Sequence, residues 1–157
     1  MSSFRTSEQI RFGTFEKSSN TEYMKKDEYR RTNTTVSLLN YHFVFCPRYR
    51  RKMFDVAGVE EYFRKLLAEV CGQHDLQILA MECHHDHVHL FVSAPPATAP
   101  YEIMKWIKSA TSRKIRMQFP ALKSMSALWT RSYFVSTAGN VSSAAIQNYV
   151  ETQKTRP

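Results

Sequence analysis

The chain has 157 residues, 43% of them hydrophobic and 13% aromatic, and a formal net charge of +8 at pH 7. This length and apolar content fit a single globular domain with a real core. No apolar run approaches the roughly 20 residues that span a bilayer, and the N-terminal sequence lacks the apolar segment of a signal peptide. We therefore expect a cytoplasmic protein with no membrane partner. The basic charge suits nucleic acid, although an unspecialised basic surface is the alternative.

The chain divides into an extension and a domain. Residues 1–34 are polar, rich in Ser, Thr, Lys and Glu, and show no sustained period, which predicts a flexible extension. Residues 35–157 are predicted to form one domain. It begins with a largely buried strand over residues 36–46, which Pro47 ends.

The rest of the domain alternates helical and extended patterns. The predicted elements are, in order, a helix over 56–72, strands over 76–82 and 87–93, a helix over 101–117, a strand over 133–136 and a final helix to about 153. The two middle strands are separated only by a turn at Asp86, so we expect an antiparallel hairpin. The order β-α-β-β-α-β-α predicts an α+β fold with an antiparallel sheet covered by helices.

Two histidines mark the second strand of the hairpin. His87 and His89 occupy alternate positions, so their side chains point to one face and offer two nitrogen donors to a metal ion. Taken alone, they are better explained as ordinary core or surface histidines. A zinc site that also includes Cys83 and His85 is conceivable, but consecutive alternate positions leave little room for tetrahedral closure.

The final helix carries Tyr149 and Gln153 four residues apart, on one helical face. Tyr is a nucleophile, and the neutral Gln oxygen suits Mg²⁺ or Mn²⁺ beside two imidazoles. Such a site fits attack on a phosphodiester, and a covalent tyrosine intermediate keeps the bond energy, so no nucleotide cofactor is needed. The alternatives are a core aromatic at 149 and a solvated amide at 153.

Two basic segments are candidate DNA contacts. The first interleaves an aromatic residue with cations, which suits phosphate binding and base stacking, and the second lies on the second helix. Either could instead be a solvated surface. The candidates are Arg48, Tyr49, Arg50, Arg51, Lys52, Lys105, Lys108, Arg113 and Lys114.

Four stretches together resemble a known family. They are Tyr-His-Phe-Val-Phe-Cys-Pro-Arg-Tyr-Arg at 41–50, Asp-His-Val-His-Leu-Phe-Val at 86–92, Trp-Thr-Arg-Ser-Tyr-Phe at 129–134 and Ile-Gln-Asn-Tyr-Val-Glu-Thr-Gln at 146–153. In this order they are similar to the single-tyrosine HUH transposases (TnpA-type) of the smallest bacterial and archaeal insertion sequences, which move as single-stranded DNA.

The resemblance implies a ferredoxin-like sheet with helices on one face, and a homodimer joined partly by edge strands. It implies that Tyr149 is the nucleophile and that His87, His89 and Gln153 bind the metal. It also implies cleavage of single-stranded DNA at hairpin-containing ends through a 5′-phosphotyrosine, followed by rejoining without ATP. The chain departs from the family in having His85 where a Pro is common, and in its longer N-terminal extension.

Three rival functions stay open. A solitary relative could process genomic repeat hairpins with the same chemistry without mobilising itself. A single-stranded nucleic-acid-binding protein could keep the fold and lack catalysis, which the intact set of His87, His89, Tyr149 and Gln153 argues against. A plasmid-type replication initiator or relaxase is disfavoured by the small size and the lone C-terminal tyrosine helix.

Overall fold

A computed structural model of the protein describes residues 29–138 together with Asn148. Six strands and two long helices occupy this part of the chain. They are β1 (Arg30–Arg31), β2 (Val36–Ser37), β3 (Asn40–Phe45), α1 (Val59–Gln73), β4 (Gln77–Cys83), β5 (Val88–Ser93), α2 (Pro100–Gln118) and β6 (Phe134–Thr137).

The centre of the fold is a four-stranded antiparallel sheet in the order β4-β5-β3-β6. Strand β5 pairs with β4 through the hairpin and with β3 on its other side, where Phe43 lies opposite Leu90. Strand β6 pairs with the far edge of β3. Two β-α-β units therefore interlock, each with a helix as its crossover, which is the ferredoxin-like arrangement.

The ends of both helices follow local chemistry. Helix α1 begins after Gly58, whose φ of 84° lies in the left-handed region that glycine adopts readily. Helix α2 begins with Pro100, and the backbone N–H of Ala99 donates to the Glu102 carboxylate at 3.0 Å. Pro at the first helical position and an acidic group in the first turn both stabilise a helix start.

Both helices pack on one face of the sheet. Alternate residues of β3 and β5, such as Phe43 and Leu90, point to that face and are fully buried. They join one core with apolar side chains of the helices, including Phe63 of α1 and Ile107 of α2. Because side chains alternate along a strand, the intervening residues lie on the opposite face of the sheet, which we call the open face.

The fold prediction is confirmed in class and in element order through β6. The helices differ from their expected ends by one to three residues, and the expected strand over 36–46 is two strands, β2 and β3. The first pairs with β1, and only the second enters the central sheet. No helix among the described residues is long and apolar enough to cross a membrane.

The predictions at both ends of the chain fall mostly outside the described residues. The final helix lies outside them except for Asn148, which is helical and exposed. The boundary expected at residue 34 falls inside the β1–β2 hairpin. There Arg30 donates to Asp75 Oδ2 at 2.9 Å and to the Ser93 carbonyl at 3.0 Å, so this part of the extension is tied to the domain.

Candidate active site

A tight hairpin between β4 and β5 places three histidines on the open face. The His84 N–H donates to the His87 carbonyl at 2.9 Å, which leaves His85 and Asp86 as the two loop residues. Cys83 and Val88 pair in register and contact the helix-side core. By the alternation of strands, His84 and His87 therefore face the open side, as does His89.

The ring nitrogens of these three histidines converge. One ligand atom from each of His84, His87 and His89 lies within 4.8 Å of the others. The rings of His84 and His87 stack with centroids 4.6 Å apart, and the His89 ring stands edge-on, with its centroid 5.2 Å from that of His87. We call these three residues the histidine cluster. Imidazole nitrogens grouped in this way fit a divalent transition metal.

Asp86 orients His87. Its carboxylate accepts a hydrogen bond from His87 Nδ1 at 2.8 Å and an ion pair from Arg50 Nε at 3.0 Å. The Arg50 guanidinium, with a smaller contribution from His87, lowers the pKa of Asp86 to about 2. Asp86 therefore stays ionised and holds the proton of His87 on Nδ1, which leaves Nε2 as the donor for a metal.

His42 of β3 supports His89 in a similar way. His42 Nε2 lies 3.1 Å from His89 Nδ1, and its ring stacks parallel on Phe91 with centroids 4.1 Å apart. Burial, followed by the neighbouring histidines, lowers the pKa of His89 to about 4, and burial also lowers the pKa of His42. The His89 ring is thus neutral at pH 7, which is the form that can bind a metal.

The first basic segment, residues 48–52, lies beside the histidine cluster. Arg50 reaches Asp86, and the Phe54 N–H donates to the His85 carbonyl at 3.3 Å just beyond the segment. Tyr49 and Arg50 are both in the left-handed region, with φ of 61° and 49°. The Tyr49 ring is 81% exposed, and the Arg48 guanidinium lies 5.2 Å from its centroid. This arrangement displays an aromatic face and cations next to the histidines.

The second basic set does not form one surface. The Lys108 ammonium donates to the carbonyls of Thr130 and Ser132 at 2.8 and 3.0 Å, and burial lowers its pKa. Lys114 lies toward α1, 3.6 Å from Glu69. Lys105 and Arg113 are exposed. Of these four cations, only Lys105 and Arg113 could contact DNA as predicted without first giving up one of these contacts within the protein.

The structure brings together only part of the predicted site. His87 and His89 share one face as expected, whereas Tyr149 and Gln153 lie outside the described residues. The zinc alternative loses its geometry because Cys83 packs toward the core and the exposed His85 ring contacts Asp55. His84 and His42 were missed as site residues. The alternation of side chains along β3 predicts that His42 lies on the open face. Its contact with His89 could not be predicted in this way, because it depends on β3 lying beside β5 in the sheet.

Known proteins resemble this chain in sequence. Residues 35–153 match the family described as IS200-like transposases. The ISDra2 transposase TnpA of Deinococcus radiodurans is 34% identical over 121 residues, 75% of this chain and 86% of its own length. The transposase for insertion sequence element IS200 of Salmonella typhimurium is 33% identical over 116 residues, 72% of this chain and 75% of its own length.

Two solved structures share the fold. A transposase from Deinococcus radiodurans R1 superposes with a TM-score of 0.65 at 31% identity, covering 79% of this chain and 97% of its own. A REP-associated tyrosine transposase bound to a REP hairpin superposes with a TM-score of 0.54 at 16% identity, covering 79% of this chain and 68% of its own. At that identity the second likeness concerns the fold alone.

Proposed function

The chain belongs to the IS200-like transposases, and from this premise we propose that it cleaves and rejoins single-stranded DNA at hairpin-containing element ends through a 5′-phosphotyrosine. The observation that carries the proposal is the pair His87 and His89 on the open face, with the Nδ1 atom of each ring already in contact with a neighbouring side chain. A REP-associated tyrosine transposase of the same fold binds a REP hairpin, which supports the proposed class of substrate.

Tyr149 is the proposed nucleophile. Its phenol oxygen attacks the phosphorus, a bond forms between that oxygen and phosphorus, and the bond from phosphorus to the 3′ oxygen breaks. The phenol proton ends on the released 3′ oxygen, which becomes a free 3′-OH. Reversal with a different 3′-OH rejoins the strand without ATP. A phenol with a pKa near 10 needs local positive charge for this step at neutral pH.

His87, His89 and Gln153 are the proposed ligands of a divalent metal, with Mg²⁺ and Mn²⁺ as the expected ions. The two described residues fit a metal because Asp86 holds the His87 proton on Nδ1, and His42 Nε2 is placed to accept a proton from His89 Nδ1 in the same way. When bound, the ion supplies positive charge that neutralises the non-bridging phosphate oxygens. The chain itself supplies the rigid hairpin on which both imidazoles are fixed before DNA arrives.

The basic segment 48–52 is the proposed DNA contact nearest the site. Its exposed Tyr49 ring suits stacking by an unpaired base, and its cations suit phosphates. Lys105 and Arg113, both exposed on α2, are further candidates. DNA contact by Lys108 and Lys114 stays a prediction, and DNA would have to replace the contacts that these two side chains make in this structure.

A homodimer is part of the proposal, with a cytoplasmic location as expected for a protein acting on bacterial or archaeal DNA. Strand β6 is an edge of the central sheet, and Phe134 on it is 55% exposed. An exposed apolar edge strand is a template for pairing with another chain. Light scattering on the purified protein tests this: a monomer at all concentrations contradicts it.

The chemistry is tested by incubating the protein with a single-stranded hairpin substrate and Mn²⁺, and separating products under denaturing conditions. We expect a protein–DNA adduct that resists denaturation, carries the fragment downstream of the break through its 5′ phosphate, and disappears in Tyr149→Phe. Tyr101→Phe is the matched control, because this tyrosine is exposed on α2 and should leave the adduct intact. An adduct in Tyr149→Phe, or none with any family end sequence, contradicts the proposal.

A further inference from the structure

We propose that His84 completes a three-imidazole metal site with His87 and His89, and that this site selects a late first-row transition metal ion such as Co²⁺ or Zn²⁺ over Mg²⁺. The inference rests on the metal pair of the proposed function and changes both its ligand set and its ion.

The backbone fixes the position of His84. Its N–H is bonded to the His87 carbonyl, so the two residues lie opposite each other across the hairpin and their rings stack at 4.6 Å. Their side chains therefore share the open face with His89. The hairpin register, rather than a rotamer choice on a mobile loop, brings the third imidazole to the pair.

The three donors are close enough to share one ion. Their ligand atoms lie within 4.8 Å of one another. Nitrogens bound to one ion at about 2.1 Å lie roughly 3.3 Å apart, so closure needs at most about 1.5 Å, shared between two side chains. Small rotations of the rings supply a movement of this size without disturbing the strands.

The nitrogen chemistry of His84 points the same way. His84 Nε2 is buried and has no hydrogen-bond partner among the described residues. Such a group ordinarily costs about 1–3 kcal/mol, so a buried unpaired nitrogen needs an explanation. A metal ion shared with His87 and His89 provides one.

His85 shows what an uninvolved histidine looks like in the same turn. Its side chain is 74% exposed and pairs with Asp55, away from the cluster. It differs from His84 by one position along the chain and points elsewhere. His85→Asn is therefore a matched control for His84→Asn, with the same chemical change in the same hairpin.

Ligand type decides the ion. Imidazole favours Co²⁺, Ni²⁺ and Zn²⁺, whereas Mg²⁺ prefers oxygen ligands and keeps its waters. Each imidazole added to the site therefore increases the affinity for these transition metals relative to Mg²⁺. An oxygen ligand at position 84 should reduce that difference in affinity.

The test measures metal binding without DNA. The full-length protein is stripped with chelator and titrated with Co²⁺ by visible absorption, alone and against excess Mg²⁺, and thermal melting of each stripped variant verifies folding. Wild type should bind Co²⁺ in the presence of excess Mg²⁺. Loss of an outer-shell partner already costs about 10–100-fold in affinity, so His84→Asn should weaken Co²⁺ binding by at least about 100-fold, while His85→Asn matches wild type.

A second variant keeps the inference falsifiable if His84→Asn folds poorly. His84→Asp should retain a metal site, with the preference shifted toward Mg²⁺ and Mn²⁺ and an altered Co²⁺ spectrum. Wild-type Co²⁺ affinity and spectrum in either variant, or wild-type protein that prefers Mg²⁺, overturns the inference. Adduct formation is scored separately. If wild type forms the adduct but the Co²⁺ titrations show that His84 is not a ligand, only this inference is refuted. If the titrations show three histidine ligands but no adduct forms, only the proposed function is refuted.

Discussion

Replacing His42 with phenylalanine tests whether one histidine sets the protonation of another. A phenyl ring preserves the parallel stack on Phe91, where the centroids are 4.1 Å apart, but it removes the nitrogen 3.1 Å from His89 Nδ1. In the proposed site His89 binds a metal through Nε2, which requires its proton on Nδ1, and His42 Nε2 is placed to accept a hydrogen bond from that proton. The substitution therefore removes an outer-shell partner and little else.

The magnitude follows from the role. Outer-shell partners of metal-bound histidines contribute about 10–100-fold to affinity, or about 1.4–2.7 kcal/mol. A single neutral hydrogen bond contributes only about 0.5–1.5 kcal/mol to folding, and the phenyl ring offsets part of that loss by its apolar burial. We expect the metal affinity of His42→Phe to fall by about 10–100-fold, with little change in the melting temperature of the metal-free protein.

Calorimetric titration of stripped protein with Mn²⁺ or Co²⁺ measures this effect. The control is Phe91→Leu, which removes the aromatic stack but keeps the contact between His42 and His89. Wild-type affinity in His42→Phe, or an equal loss in Phe91→Leu, would refute the reasoning, because either result places the effect in packing and not in the hydrogen bond.

Three further predictions concern the turn and the core. Tyr49→Asn places asparagine, which tolerates positive φ, at a position whose φ is 61°, so the melting temperature should stay the same or rise. Loss of base stacking should weaken single-stranded DNA binding by about 1–3 kcal/mol in a fluorescence titration. Unchanged binding contradicts the stacking role. The pKa of Asp86 is lowered from 3.8 to about 2, so its pairing with Arg50 stabilises the fold fully above about pH 4 and fades as pH falls toward 2. Acid unfolding curves should lose this component in Asp86→Asn, and identical curves contradict it. Thr111→Val leaves the buried Trp129 indole N–H, now 2.9 Å from the threonine oxygen, without an acceptor, and urea unfolding should show a loss of about 1–3 kcal/mol that Thr111→Ser does not.

The sequence was sufficient for the order of the elements and for the face shared by His87 and His89, because both follow from local periodicity. It was insufficient for the break between β2 and β3, since the apolar run continues through Leu38 and Leu39 while pairing partners change. The role of His84 depends on the hairpin register, and that of His42 on β3 lying beside β5. Both are properties of the assembled sheet that no single stretch encodes.

The position of Lys108 was likewise beyond sequence reasoning. Its spacing on α2 resembles that of a surface cation, but a chain segment before β6 folds back over it and presents its carbonyls. Neither the path of that segment nor its carbonyl directions have a local signature. Counting the basic residues of a helix without the tertiary fold therefore overestimates the charge that is available to DNA.

The contact between Arg50 and Asp86 gives the site a thermodynamic reciprocity. Arg50 belongs to the proposed DNA surface, and Asp86 is the carboxylate that orients His87. A phosphate that draws Arg50 away leaves Asp86 to His87 alone, which alters the basicity of the ring at Nε2. If the proposed function holds, linkage requires DNA to change the metal affinity by the same factor by which metal changes the DNA affinity. Strand capture and ion capture are then two measurements of one coupling free energy.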